Sequence, residues 1–121
     1  MSSLRSKNGG QHSMLKHILT VIQNSVQRSI CLDAVTYSIG RSSYNTIVLE
    51  GNTLSRQHAI LLRLPLADGS YRYRLIDGSV AGKRSTNGIT VNGRRCQSWD
   101  LQSGDLIIFA EAVQAIYQIQ A

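Results

Sequence analysis

The chain has 121 residues, 42% of them hydrophobic, and a formal net charge of +6. This is one domain's length, enough to bury roughly two-thirds of the surface the unfolded chain would expose, and the ordinary apolar content excludes wholesale disorder. Two cysteines without CxxC spacing exclude a disulfide scaffold, and no run approaches the ~20 apolar residues of a membrane helix.

Residues 1 to 16 are polar, carry Gly9-Gly10 and the basic Arg5, Lys7 and Lys16, and show no period. They are expected to be a flexible tail or linker, with the folded domain spanning 17–121. The apolar run Ile18 to Ile22 is too short for a signal peptide, so a soluble, cytoplasmic domain is expected. His17 to Gln23, rich in Ile, Val and Thr, predicts a first strand, turned by Asn24-Ser25. Arg28 to Ala34 predicts its hairpin partner. Thr36 to Ile39 is a third strand ending at Gly40, and Thr46 to Leu49 a short fourth. Glu50-Gly51-Asn52 is a turn, and Leu54-Ser55-Arg56 a loop leading into the apolar strand His58 to Leu64, which stops at Pro65.

After the turn Ala67-Asp68-Gly69-Ser70, Tyr71 to Ile76 alternates cleanly. Tyr71, Tyr73 and Leu75 share one face, Arg72 and Arg74 the other, as in a half-buried strand. A Gly-rich loop runs from Asp77 to Asn87. Ile89 to Val91 and Arg94 to Cys96 flank Asn92-Gly93, the strongest two-residue hairpin signal. Ser103-Gly104-Asp105 turns into a last hairpin, Leu106 to Ala110 and Gln114 to Gln120. About ten or eleven short strands at this spacing, with no helical period, predict an all-β sandwich of two sheets. Cys31 and Cys96 read as reduced, mostly buried apolar residues. Trp99, just before Asp100-Leu101, reads as a partly buried rim residue in the approach to the last turn.

Two loop segments carry the chemistry. The first is Gly40-Arg41, then Asn45, then Ser55-Arg56-Gln57-His58; the second runs from Ser85-Thr86-Asn87-Gly88 to Asn92-Gly93. Arg, Ser, Thr and Asn on loops between strands are the inventory for holding a phosphate: a planar fork of donors, with hydroxyls and amides completing the shell. Ten of the 13 cations are Arg, which suits bidentate anion recognition better than Lys.

Gly-Arg, Ser-x-x-His and Ser-x-Asn-Gly with a closing Asn-Gly, in this order, resemble the forkhead-associated (FHA) domain, and the likeness covers residues 17 to 121. The resemblance implies an eleven-stranded sandwich that binds phosphothreonine peptides without catalysis and without a cofactor. It implies that Arg41 grips the phosphate, Ser55 bonds it, and Arg56 adds a phosphate or peptide contact. Thr86 would meet the phosphate or the side-chain pocket, and Asn87 would fix the peptide main chain. Gly40 would let the backbone turn tightly, His58 would tie the binding loops together, Gly88 would be structural, and Asn45 would support the first loop. The partner implied is a phosphothreonine protein made by a Ser/Thr kinase, with neither nucleic acid nor membrane involved. Because the tail contains no threonine before Thr20, recognition in trans is expected.

Two positions depart from the family pattern. The loop between Asp77 and Ser85 is long and places Lys83 and Arg84 beside the second motif, where they serve either as accessory cations or as a solvated loop tip. Ile89 stands where threonine is often found. Other readings compete. The +6 charge and five tyrosines permit a nucleic-acid binder, but Tyr71 and Tyr73 alternate away from Arg72 and Arg74. A scaffold that has lost phospho-dependence is a second alternative. Ser55, His58 and Asp77 invite a hydrolase reading, but no nucleophile-elbow motif surrounds Ser55. His12, His17, Cys31 and Cys96 lack metal spacing, and Gly78 to Gly82 is no nucleotide fingerprint.

Overall fold

The computed structural model describes residues 15–121. Of the expected tail, residues 1–14 lie outside the described residues, and Lys16 already opens the first strand. Eleven strands follow in chain order. They are β1 (Lys16–Gln23), β2 (Val26–Leu32), β3 (Thr36–Gly40), β4 (Ile47–Val48), β5 (Ala59–Pro65), β6 (Tyr71–Asp77), β7 (Ile89–Val91), β8 (Arg94–Cys96), β9 (Ser98–Asp100), β10 (Leu106–Phe109) and β11 (Val113–Gln120). There are no helices among the described residues, so none is long and apolar enough to cross a membrane.

The strands form two sheets, ordered β2-β1-β11-β10-β7-β8 and β4-β3-β5-β6-β9. Period-two patterning explains the sandwich. Leu19 and Val21 on β1, Ala115 and Tyr117 on β11, and Ile107 and Phe109 on β10 point inward from one sheet. Tyr37, Ile39, Leu61, Tyr73 and Leu75 meet them from the other. Each such large side chain, fully buried, contributes roughly 1.5–3 kcal/mol. His17 also lies inside, its ring stacked on Tyr71 at 4.3 Å between centroids and its Nδ1 hydrogen-bonded to the Tyr117 hydroxyl. Burial holds the His17 imidazolium pKa below its usual value.

The structure corrects several local expectations. The second strand begins at Val26 and ends at Leu32, because Asn24 and Ser25 both take positive φ and form a two-residue turn that launches β2 at once. Asp33 and Ala34 leave the ladder and donate their backbone N–H groups to the Tyr37 hydroxyl. Cys31 is exposed, since the β1–β2 register sets it opposite the outward Ile18 while Leu32 turns in; Cys96 is partly buried. Trp99 is partly buried as expected, but it lies in a strand, β9, pairing with Leu75, and its indole N–H donates to Asp105 at 3.2 Å. Gly40 is needed for close approach rather than for a turn. It sits inside β3, and a Cβ there would stand 2.3 Å from the Arg56 carbonyl oxygen.

The strand register gathers the loops. Ile39 lies opposite Ala59, and Ala59 opposite Asp77, so the ends of β3, β5 and β6 stand abreast. The segments 41–46, 49–58 and 78–88 therefore leave the same end of the sandwich. His58 N–H donates to Ile39 and Gly78 N–H to His58, extending the second sheet into those loops.

Candidate functional site

The loops enclose an open cleft of about 540 Å³. Arg41, Ser55, Arg56, Thr86 and Asn87 all line it, as do Lys83 and Arg84. Residues some thirty positions apart in sequence thus meet in one wall. Sequence reasoning did not single out Ser42, Tyr44, Asn52, Thr53 or Ser79, which also line it. Tyr44 is 97% exposed, and an aromatic in a short polar loop was the available signal for it.

The first loop is braced by backbone. Arg41 N–H donates to Ser55 at 3.0 Å and Ser42 N–H to Arg56 at 3.2 Å. Asn45, buried, donates its amide to the carbonyls of Ser42 (2.9 Å) and Arg56 (2.6 Å), closing the loop on itself. Arg41 is oriented through one nitrogen, Nε donating to Leu54 at 3.1 Å. Its two terminal nitrogens keep their four N–H donors, with no hydrogen bond among the described residues.

The second loop is tied to the first at three points. Thr86 N–H donates to Ser55 Oγ at 3.0 Å, and Asn87 Nδ2 donates to the Thr53 carbonyl at 2.8 Å. The third tie is His58, 0% exposed. Its Nδ1 accepts from Ser55 N–H at 3.0 Å, and its Nε2 lies 2.8 Å from the Gly88 carbonyl. Since Nδ1 accepts, the proton sits on Nε2 and the ring is neutral. Gly88 in turn accepts from Ala110 N–H at 3.0 Å and donates to Ser85 Oγ at 2.9 Å. His58 thus bridges both loops while packing edge-on to Phe109.

These bonds decide what the side chains have left to offer. Ser55 Oγ already accepts from Thr86, so its own O–H is available to donate into the cleft. An accepted bond polarises that donor and strengthens it. The arrangement does not form a hydrolytic triad. Both His58 nitrogens are taken by main-chain groups, and Asp77 accepts from Ser85 N–H at 2.8 Å instead of orienting the imidazole. No group of three or more His, Cys, Asp or Glu placed to hold a metal occurs among the described residues. What remains is a cleft presenting guanidinium, hydroxyl and amide donors, with no carboxylate among its lining residues.

Comparison with known proteins places the fold in a family. The FHA domain family model matches residues 37–110. An uncharacterized protein of Synechocystis sp. is 38% identical over 100 residues, which cover 83% of this chain. The chain spans only 14% of that relative's length. Among solved structures, the Slr1951 protein from Synechocystis sp. superposes with a TM-score of 0.81 at 34% identity, covering 87% of this chain and 99% of that one. EmbR of Mycobacterium tuberculosis, solved with a low-affinity phosphopeptide, superposes with a TM-score of 0.67 at 28% identity, covering 86% of this chain and 25% of that one. Matched over most of its length by the family model and by the Slr1951 fold, the chain belongs to the FHA domain family.

Proposed function

We propose that this domain binds phosphothreonine-containing segments of partner proteins in the 540 Å³ cleft, with no catalytic step, and so reads the output of a Ser/Thr kinase. One observation carries the reading. Arg41, Ser55, Arg56, Thr86 and Asn87 line one cleft, and the local bonds of Arg41 and Ser55 leave donors unspent. Arg41 and Arg56 neutralise the phosphate, which carries about −1.5 to −2 at neutral pH. The Ser55 hydroxyl donates to one oxygen, and Thr86 closes the shell. Asn87, pinned to Thr53 through Nδ2, keeps its carbonyl oxygen and a second N–H for the peptide main chain. The phosphopeptide complex of EmbR supports the ligand class. The ligand comes in trans, in the cytoplasm, as a phosphorylated protein.

The test is calorimetric titration with phosphothreonine, phosphoserine and unmodified forms of one peptide. Phosphothreonine binds, the unmodified peptide does not, and phosphoserine is weaker by about 1 kcal/mol for one lost methyl. Arg41→Ala lowers affinity by about 2–5 kcal/mol, the loss expected when one partner of a desolvated charge pair is removed. Arg41→Ala binding as tightly as the parent refutes the reading.

A further inference from the structure

The cleft holds more positive charge than one phosphate can neutralise. Arg41, Arg56, Lys83 and Arg84 line it, and no Asp or Glu does. A phosphothreonine brings about −2 at most, so two cations remain uncompensated. Neither Lys83 nor Arg84 forms an ion pair among the described residues. The nearby carboxylate, Asp77, lies outside the lining and is engaged by Ser85 N–H.

The loop that carries these two cations is a built wall. Ser79 N–H donates to the Lys83 carbonyl at 2.9 Å, Gly82 N–H to Ser79 at 2.9 Å, and Lys83 N–H to Ser79 Oγ at 3.3 Å. The base folds back so tightly that a Cβ on Gly78, whose φ is +100°, would stand 2.3 Å from the Lys83 carbonyl oxygen. Arg84 is held at its far end by a neutral partner. With the Gln97 amide turned so that its oxygen faces the guanidinium, that oxygen accepts both terminal nitrogens at 3.0 Å. An amide fixes the position of the guanidinium and leaves its charge intact. An acidic residue at position 97 would have cancelled it.

Resting on the phosphothreonine reading of the same cleft, we propose that Lys83 and Arg84 form a second anion subsite, so that the preferred ligand carries a further anionic group beside its phosphothreonine. That group is a carboxylate or a second phosphate on the same peptide. Both present oxygen acceptors to the same two cations.

The experiment uses fluorescence-anisotropy titration of one phosphothreonine peptide with neutral flanks. Its derivatives carry a Glu or a phosphoserine stepped through the flanking positions on either side. The protein is the parent, Lys83→Gln, Lys83→Gln/Arg84→Gln, and Arg94→Gln as a control removing an exposed cation outside the cleft. At the best position the parent gains at least about tenfold in affinity over the neutral peptide. The gain is halved or better in Lys83→Gln and falls below about twofold in the double variant, while Arg94→Gln retains it. Comparing Glu with phosphoserine identifies which anion the subsite takes. Phosphorylation-dependent binding of the neutral peptide with no gain at any position overturns the subsite and leaves the phosphothreonine reading standing. So does a gain that survives in the double variant, or one that disappears in Arg94→Gln. Loss of all phosphorylation-dependent binding in the parent overturns both.

Discussion

His58→Ala removes the one side chain that touches both binding loops from within the core. Ser55 N–H loses the one hydrogen-bond partner it has among the described residues, Nδ1 at 3.0 Å, and becomes an unpaired donor. That costs about 1–3 kcal/mol. The Gly88 carbonyl loses Nε2 but keeps Ala110 N–H at 3.0 Å, so it contributes less. The vacated ring volume and the edge contact with Phe109 add about 2 kcal/mol for a large-to-small change at a fully buried position. Together the loss is about 3–5 kcal/mol, against a typical domain stability of 5–15 kcal/mol. Urea unfolding followed by the fluorescence of the single tryptophan, Trp99, measures it. With a slope of about 1.5 kcal/mol/M the midpoint falls by about 2–3 M. His58→Phe restores the volume without the bonds, and its midpoint falls by roughly half as much. Phosphopeptide affinity drops in both, since Ser55 and Thr86 lose their common brace. A midpoint shift under about 0.5 M for His58→Ala would refute the bridging role assigned to the ring.

Gly40→Ala places a methyl group 2.3 Å from the Arg56 carbonyl oxygen and 2.9 Å from Asn45 Nδ2. Neither neighbour can retreat, because Asn45 itself donates to that oxygen. The overpacking costs about 1–3 kcal/mol, read as a lowered melting temperature, and displacement of Arg56 weakens phosphopeptide binding in protein that is still folded. An unchanged melting temperature would refute the close-approach account. His17 gives the fold a pH dependence. Burial lowers its folded-state pKa below the usual 6.5, so the unfolded chain takes up the proton first as pH falls. The stability linked to His17 is fully present above pH 6.5 and is lost below it, toward the folded-state pKa. Urea midpoints at pH 7.5 and pH 5 differ less in His17→Phe than in the parent; equal differences would refute the linkage.

The sandwich was legible because its strands are marked by period-two patterning and its turns by Asn-Gly, Asp-Gly and Asn-Ser pairs. The expected hairpins β1–β2, β7–β8 and β10–β11 are all present, the first with its second strand starting two residues earlier than expected. The strand β9 was not legible. Ser98-Trp99-Asp100 shows no alternation worth reading, and it becomes a strand only through pairing with β6, more than twenty residues earlier. Cys31 misled for a related reason: on an edge strand a one-residue shift decides which face a side chain takes. At the site, the motif residues could be named from sequence, but their convergence could not. The ties from Thr86 to Ser55 and from Asn87 to Thr53 each join a side chain to a backbone group, the Thr86 N–H and the Thr53 carbonyl, and that backbone half carries no residue-specific signal.

The pairing of β1 with β11 has a mechanical consequence. Lys16, where the first strand begins, lies directly opposite Gln120, where the last strand ends. Force applied to the chain on either side of the domain would load that rung alone. The two strands would then peel apart one rung after another, as a zipper opens, with no rows of bonds sharing the load in shear. The domain would yield at low force, and its first yielding would separate β1 from β11 while the cleft, built on β3, β5, β6 and β7, stayed assembled.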